Sequence, residues 1–111
     1  MAGVVSVPWY ATVFRGDQLE KALAEIAPVA LRYGASEFMV LRAGDDRYRF
    51  QQLSWFEDKL DFDRYWLGEE FVAWRADFSS FFQVPLVYSF QKTFARGEVA
   101  EAAEAHQAQV S

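Results

Sequence analysis

Across residues 4–14 both alternating sets of positions are largely apolar, with Val5, Val7, Trp9, Ala11 and Val13 in one and Val4, Tyr10, Thr12 and Phe14 in the other. A period of two is the repeat of an extended strand, and a strand with one wet face carries polar residues at every second position. A strand apolar on both faces has to be covered on both. It is expected inside a sheet that has something packed against each side.

The following segments supply one cover. Gly16-Asp17 breaks the strand, and Asp17 with Glu20 three residues on has the pattern of a capping box, which satisfies the free amides of a helix start. Leu19, Leu23, Ile26, Ala30 and Tyr33 recur at helical steps and share one face. Pro28 removes a backbone donor and should bend this helix, and Gly34 ends it. Residues 37–43 and 47–56 read as a hairpin around the turn Gly44-Asp45-Asp46. A second helix begins near Asp58, where acidic residues suit the positive end of its dipole. Its apolar residues are Phe62, Tyr65, Trp66, Phe71, Val72 and Ala76, with Gly68 as a weak point. After Ser79-Ser80, residues 82–94 alternate as a fourth strand, in which Pro85 favours a sheet edge or a bulge.

The order β-α-β-β-α-β predicts an α+β, ferredoxin-like fold, a four-stranded antiparallel sheet with two helices on one face. Residues 1–96 make one domain, and residues 97–111, rich in Ala, Glu and Gln, form a C-terminal tail expected to be helical or disordered. The other sheet face still needs its cover. Eleven Phe, five Tyr and four Trp in 111 residues are more than one small core hides. A second copy packed sheet to sheet, a homodimer, is the available cover.

Several function classes are set aside by composition. A net charge of −5 with no basic stripe argues against nucleic acid. The absence of cysteine excludes a disulfide framework and a thiolate metal site, and makes the cytoplasm the simplest location. No stretch approaches the ~20 apolar residues of a membrane span, and residues 1–10 lack the pattern of a secretion signal. The single histidine, His106, lies in the tail, so neither a histidine-based triad nor a two-histidine metal site can form. Asp58, Asp61, Asp63, Glu69 and Glu70 match no calcium loop and read as dipole and solubility groups. Neither metal nor cofactor is expected.

What remains is aromatic and cationic. Trp9, Trp55, Trp66 and Trp74 offer ring faces and indole donors for a flat ligand, with core packing as the plain alternative. Arg42, Arg64 and Arg75 sit in otherwise apolar segments, where a guanidinium must find a carboxylate, a carbonyl or an anionic ligand. A salt bridge to Glu69, Glu70 or Asp77 is the plain expectation. The candidate ligand-binding residues are Trp66, Trp55 and Tyr88 as stacking surfaces, Arg75 for a phenolate or carboxylate, and Tyr48 and Gln52 as polar lining.

The stretch Tyr65-Trp66-Leu67-Gly68-Glu69-Glu70-Phe71, together with the element order over residues 4–94, resembles the antibiotic biosynthesis monooxygenase group of the dimeric α+β barrel superfamily. The resemblance implies two facing sheets in a homodimer. It also implies either cofactor-free oxygenation of electron-rich phenols or degradation of haem, often with Trp, His and Asn around a pocket. Registering on Trp66 puts Arg75 at the histidine position, registering on Trp55 puts Arg64 there, and the chain contains no Asn. Two readings follow. One is a homodimeric small-molecule-binding protein with monooxygenase-like activity on an aromatic or phenolic compound. The other is a non-catalytic interaction or ligand-carrier module whose aromatics form the dimer interface.

Overall fold

The computed structural model describes residues 3–99, so most of the predicted tail, His106 included, lies outside the described residues. The strand with two apolar faces, Gly3–Tyr10 (β1), sits inside the sheet. It pairs antiparallel with Arg49–Phe56 (β3) on one side and Ser89–Lys92 (β4) on the other. Ala35–Arg42 (β2) pairs with the far edge of β3, giving the order β2-β3-β1-β4. The hairpin thus inserts β3 between the two strands that the first helix connects, as the split β-α-β pattern requires.

The fourth strand is shorter than expected. Over residues 82–94 only Ser89–Lys92 forms a strand, with one further bridge between Phe82 and Ala11. The backbone explains where pairing stops. Ala11 donates to the Tyr48 carbonyl on the β3 side, whereas Thr12 donates to the Phe81 carbonyl and Tyr10 accepts from the Gln83 amide on the other side. Even-numbered residues of β1 therefore address β4, and Pro8 is the one among them without an amide to offer. Residues 84–88 run past it outside the ladder.

Gly16–Ile26 (α1) buries Leu19, Leu23 and Ile26 as expected, then tightens into a 3-10 segment, Ala27–Tyr33, with Pro28 in its first turn. Proline costs nothing there, since the first amides of a helix have no internal partner. Gly34 closes it at φ +106°, a left-handed conformation that side chains disfavour. The capping box does not form. Arg15 is the N-cap without a side-chain bond, and Asp17 and Glu20 both accept from Arg42 Nη1 at 3.0 Å, tying the helix start to the end of β2.

The second helix is two helices. Asp58 caps Lys59–Trp66 (α2), its side chain accepting from the Leu60 amide at 3.0 Å. Glu69–Asp77 (α3) follows after Gly68. A Cβ on Gly68 would stand 2.7 Å from the Arg64 carbonyl oxygen and 2.9 Å from the Tyr33 hydroxyl, so the chain turns there because glycine lets two backbones approach.

All three helices cover one sheet face. Val5, Val7, Trp9 and Ala11 of the first strand region, with Phe50 and Phe56 of β3, are buried beneath Leu19, Leu23, Phe62, Tyr65, Phe71 and Trp74. Each large side chain removed from water contributes roughly 1.5–3 kcal/mol, which makes this layer the main source of stability. The opposite face is apolar and open in the single chain. Tyr10 is 37%, Met39 40% and Leu41 45% exposed, and Leu53 and Trp55 are half-buried beside them. Among the described residues no helix is long and apolar enough to cross a membrane.

Candidate functional site

The break at Gly68 sets the geometry of the candidate site. It ends α2 just after Trp66 and aims α3 so that Arg75, in its last turn, reaches back over that ring. The Arg75 guanidinium carbon lies 4.1 Å from the Trp66 ring centroid and 4.9 Å from that of Phe71, within cation–π range of both. Trp66 stacks on Phe62 at 5.8 Å and meets Phe71 at 4.8 Å. Tyr88, from the ladder-free stretch before β4, closes the group at 5.1 Å from Trp66 and 5.0 Å from Phe62.

Arg75 is anomalous. The expected salt bridges to Glu69, Glu70 or Asp77 are not made: Glu70 is held by Arg32 through bonds of 3.0 and 2.6 Å, and no carboxylate among the described residues pairs with Arg75. Its Nη1 is buried without any acceptor. Desolvation lowers the pKa of the group, while the hydroxyls of Tyr88 and Tyr65 pull the other way. A guanidinium stays protonated through such a shift, so the site carries a fixed positive charge with donors to spare. The other two arginines behave as anticipated in kind, with different partners. Arg42 pairs with Asp17 and Glu20, and the exposed Arg64 pairs with Asp61.

Beneath the rings runs a closed polar chain. Trp9 Nε1 donates to Gln52 Oε1 at 3.1 Å, Gln52 Nε2 donates to the Tyr65 hydroxyl at 3.0 Å, and that hydroxyl donates to the Ile26 carbonyl at 2.6 Å. Every group is buried and satisfied, the condition under which such a network stiffens a core. Burial pushes the Tyr65 hydroxyl pKa well up, against smaller downward pulls from Gln52 and Arg75. It remains a phenol.

The sequence candidates therefore divide. Trp66, Tyr88 and Arg75 come together, and Gln52 lies under them in the core rather than lining an opening. Trp55 points to the opposite sheet face, opposite Val4 in the β1–β3 register. Tyr48 stands at the hairpin end, where it meets Tyr10 at 6.3 Å and helps line a cleft of about 240 Å³ with Phe14, Gly16, Asp17, Arg42 and Arg47. Sequence reasoning missed Phe62 and Phe71 as members of the site. The signal was present, since Phe62 and Trp66, like Phe71 and Arg75, are four residues apart and so neighbours on a helix. A broad hollow of about 680 Å³ over Asp58, Leu60, Asp61, Asp63, Arg64, Leu67 and Gly68 includes none of the clustered residues. Of its carboxylates, Asp63 pairs with Lys59, Asp61 with Arg64, and Asp58 caps α2. Among the described residues no group of three or more His, Cys, Asp or Glu is placed to hold a metal ion.

No protein-family model matches the sequence, and comparison with curated proteins finds no relative. Comparison of structures is informative. A Nitrosomonas europaea protein described as an antibiotic biosynthesis monooxygenase superposes with a TM-score of 0.75 at 16% identity, over 84% of this chain and 90% of the other. SnoaB, a cofactor-independent oxygenase from Streptomyces nogalater, superposes with a TM-score of 0.71 at 15% identity, over 90% of this chain and 98% of that one. A Pseudomonas aeruginosa protein gives 0.74 at 14% identity, over 85% and 95%. At such identities the likeness is one of backbone. The chain thus has a ferredoxin-like α+β fold, the fold of these antibiotic biosynthesis monooxygenase proteins.

Proposed function

We propose that residues 1–96 form a homodimeric α+β barrel that binds a small planar aromatic compound at Trp66, Arg75 and Tyr88 and oxidises it with O2 without a cofactor. The single observation that carries this reading is the buried Arg75 Nη1 with no acceptor, set against two aromatic faces. An unpaired buried donor costs about 1–3 kcal/mol. A ligand that brings an oxygen anion on an aromatic frame satisfies both halves of the site at once, and the fold shared with a cofactor-independent oxygenase is consistent with the chemistry. Tyr88 is held against Trp66 by side-chain packing and not by a ladder, so an incoming ring can take its place.

In the proposed reaction an electron-rich hydroquinone supplies all the electrons. One atom of O2 replaces a ring hydrogen, the other leaves as water, and the ring ends as the hydroxyquinone, so no external reductant is needed. Arg75 stabilises the negative charge that the ring oxygen carries as electron density moves to O2. The apolar open face of the sheet, with Met39, Leu41, Leu53 and Trp55, is the surface on which the second copy packs in this reading.

The test is oxygen uptake with quinone absorbance, run over a panel of phenols and hydroquinones. Turnover above the uncatalysed rate, lowered at least about tenfold in Arg75→Ala with an unchanged circular dichroism spectrum, is the expected result. A flat oxygen trace over the whole panel overturns the catalytic part of the proposal.

A further inference from the structure

Resting on that reading of the site, we infer that the ligand arrives already charged: the site selects aromatic compounds whose acidic group has lost its proton in solution, because among the described residues no carboxylate or imidazole stands beside Arg75 to remove it.

The neighbours of Arg75 can be taken element by element. From α2 come Trp66 and Tyr65, from α3 itself Phe71, and from the segment before β4 Tyr88. None of them is a carboxylate or an imidazole. The Tyr65 oxygen is committed, donating to the Ile26 carbonyl and accepting from Gln52, and it has no free lone pair aimed at a ligand proton. Tyr88 contributes its ring to the cluster, packed on Trp66 and Phe62. The carboxylates nearest in sequence are occupied or turned away: Glu70 is gripped by Arg32, and Glu69 and Asp77 are exposed on the outer side of α3.

The electrostatics then point one way. A positive group without a counter-ion, half-buried among rings with its Nη1 fully covered, favours an anion over a neutral isostere. A neutral phenol can accept from Arg75 as well, but without the charge that makes such a bond roughly twice as strong. The predicted class is therefore aromatic compounds that carry a carboxylate or an acidic hydroxyl, among them hydroquinones bearing such a group, and the pH dependence of binding should belong to the ligand.

Isothermal titration of the full chain with 1-naphthoate, 1-naphthamide, 1-naphthol and 4-chloro-1-naphthol tests this. Naphthoate should bind about tenfold or more tighter than naphthamide, the value of one charge-assisted hydrogen bond, and Arg75→Gln should abolish that difference. Affinity for each naphthol should rise with pH, and the midpoint should move between the two with their own acidities. Equal affinity for naphthoate and naphthamide overturns the inference while leaving an aromatic pocket standing. A midpoint fixed across both naphthols, or one displaced by His106→Ala, overturns it by revealing a base in the protein. Failure of acid and amide alike to bind overturns the pocket reading itself.

Discussion

Arg75 and Trp66 face each other at 4.1 Å although they belong to different helices, so their contact depends on the angle at which α2 meets α3. Gly68 fixes that angle. Gly68→Ala should cost about 1–3 kcal/mol, because the added methyl meets a backbone carbonyl that cannot swing aside. Urea unfolding gives the cost, and a changed tryptophan emission in the folded variant reports the loosened cation–π contact. An unaltered midpoint and spectrum would show that the helix angle is held by something else.

Gln52→Leu is nearly isosteric, yet it strands the Trp9 indole donor and removes one partner of the Tyr65 hydroxyl. A loss of about 2–4 kcal/mol is expected, larger than for most apolar swaps of that size, because the orphaned groups stay buried. Urea unfolding measures the loss, and a stability within about 1 kcal/mol of the unchanged chain would show that the network carries little.

Alkaline pH should destabilise the fold through Tyr65. Desolvation raises its folded-state pKa, so the unfolded chain releases this proton first, at the ordinary value of about 10. The contribution is complete below pH ~10 and is lost as pH climbs above it. Tyr65→Phe removes that part of the slope, which thermal melts across the alkaline range will show.

Trp55 and Trp66 should separate association from binding. Trp55→Ala is expected to weaken self-association about tenfold or more, visible by native mass spectrometry at falling concentration, with ligand affinity little changed. Trp66→Ala should do the reverse, since its ring lies under Arg75 on the helix side. If Trp55→Ala leaves the subunit number untouched, the open sheet face is not where copies meet.

The element order was legible because period-two and helical repeats survive in the sequence at β1, α1 and β3, where one side chain in two or in three to four is fixed by the core. The end of β4 was not. Residues 82–94 alternate throughout; Pro85 marked an edge or bulge, and the ladder does lapse over residues 84–88, but the lapse also depends on Pro8, more than seventy residues earlier in the chain, which has no amide to offer either. Likewise Asp17 and Glu20 carry a capping pattern, but Arg42 from β2 competes for both carboxylates and wins by adding a bond to the Arg47 carbonyl and stacking on Phe50 at 5.0 Å. For the site, Trp66, Tyr88 and Arg75 were readable as chemical types. Their meeting, and the exclusion of Trp55 and Tyr48 from it, depends on which sheet face each strand residue takes and on the turn at Gly68.

The ladder gap at residues 84–88 bears on time as well as shape. Backbone amides outside a ladder are the first to exchange with solvent, and a segment of this kind opens without the sheet opening. The residence of anything bound against Arg75 would then be set by how often one tyrosine ring lifts off one tryptophan, far faster than the unfolding of the domain. The clock of the site would be decoupled from the stability of the fold, so that hardening the core would leave ligand exchange as quick as before.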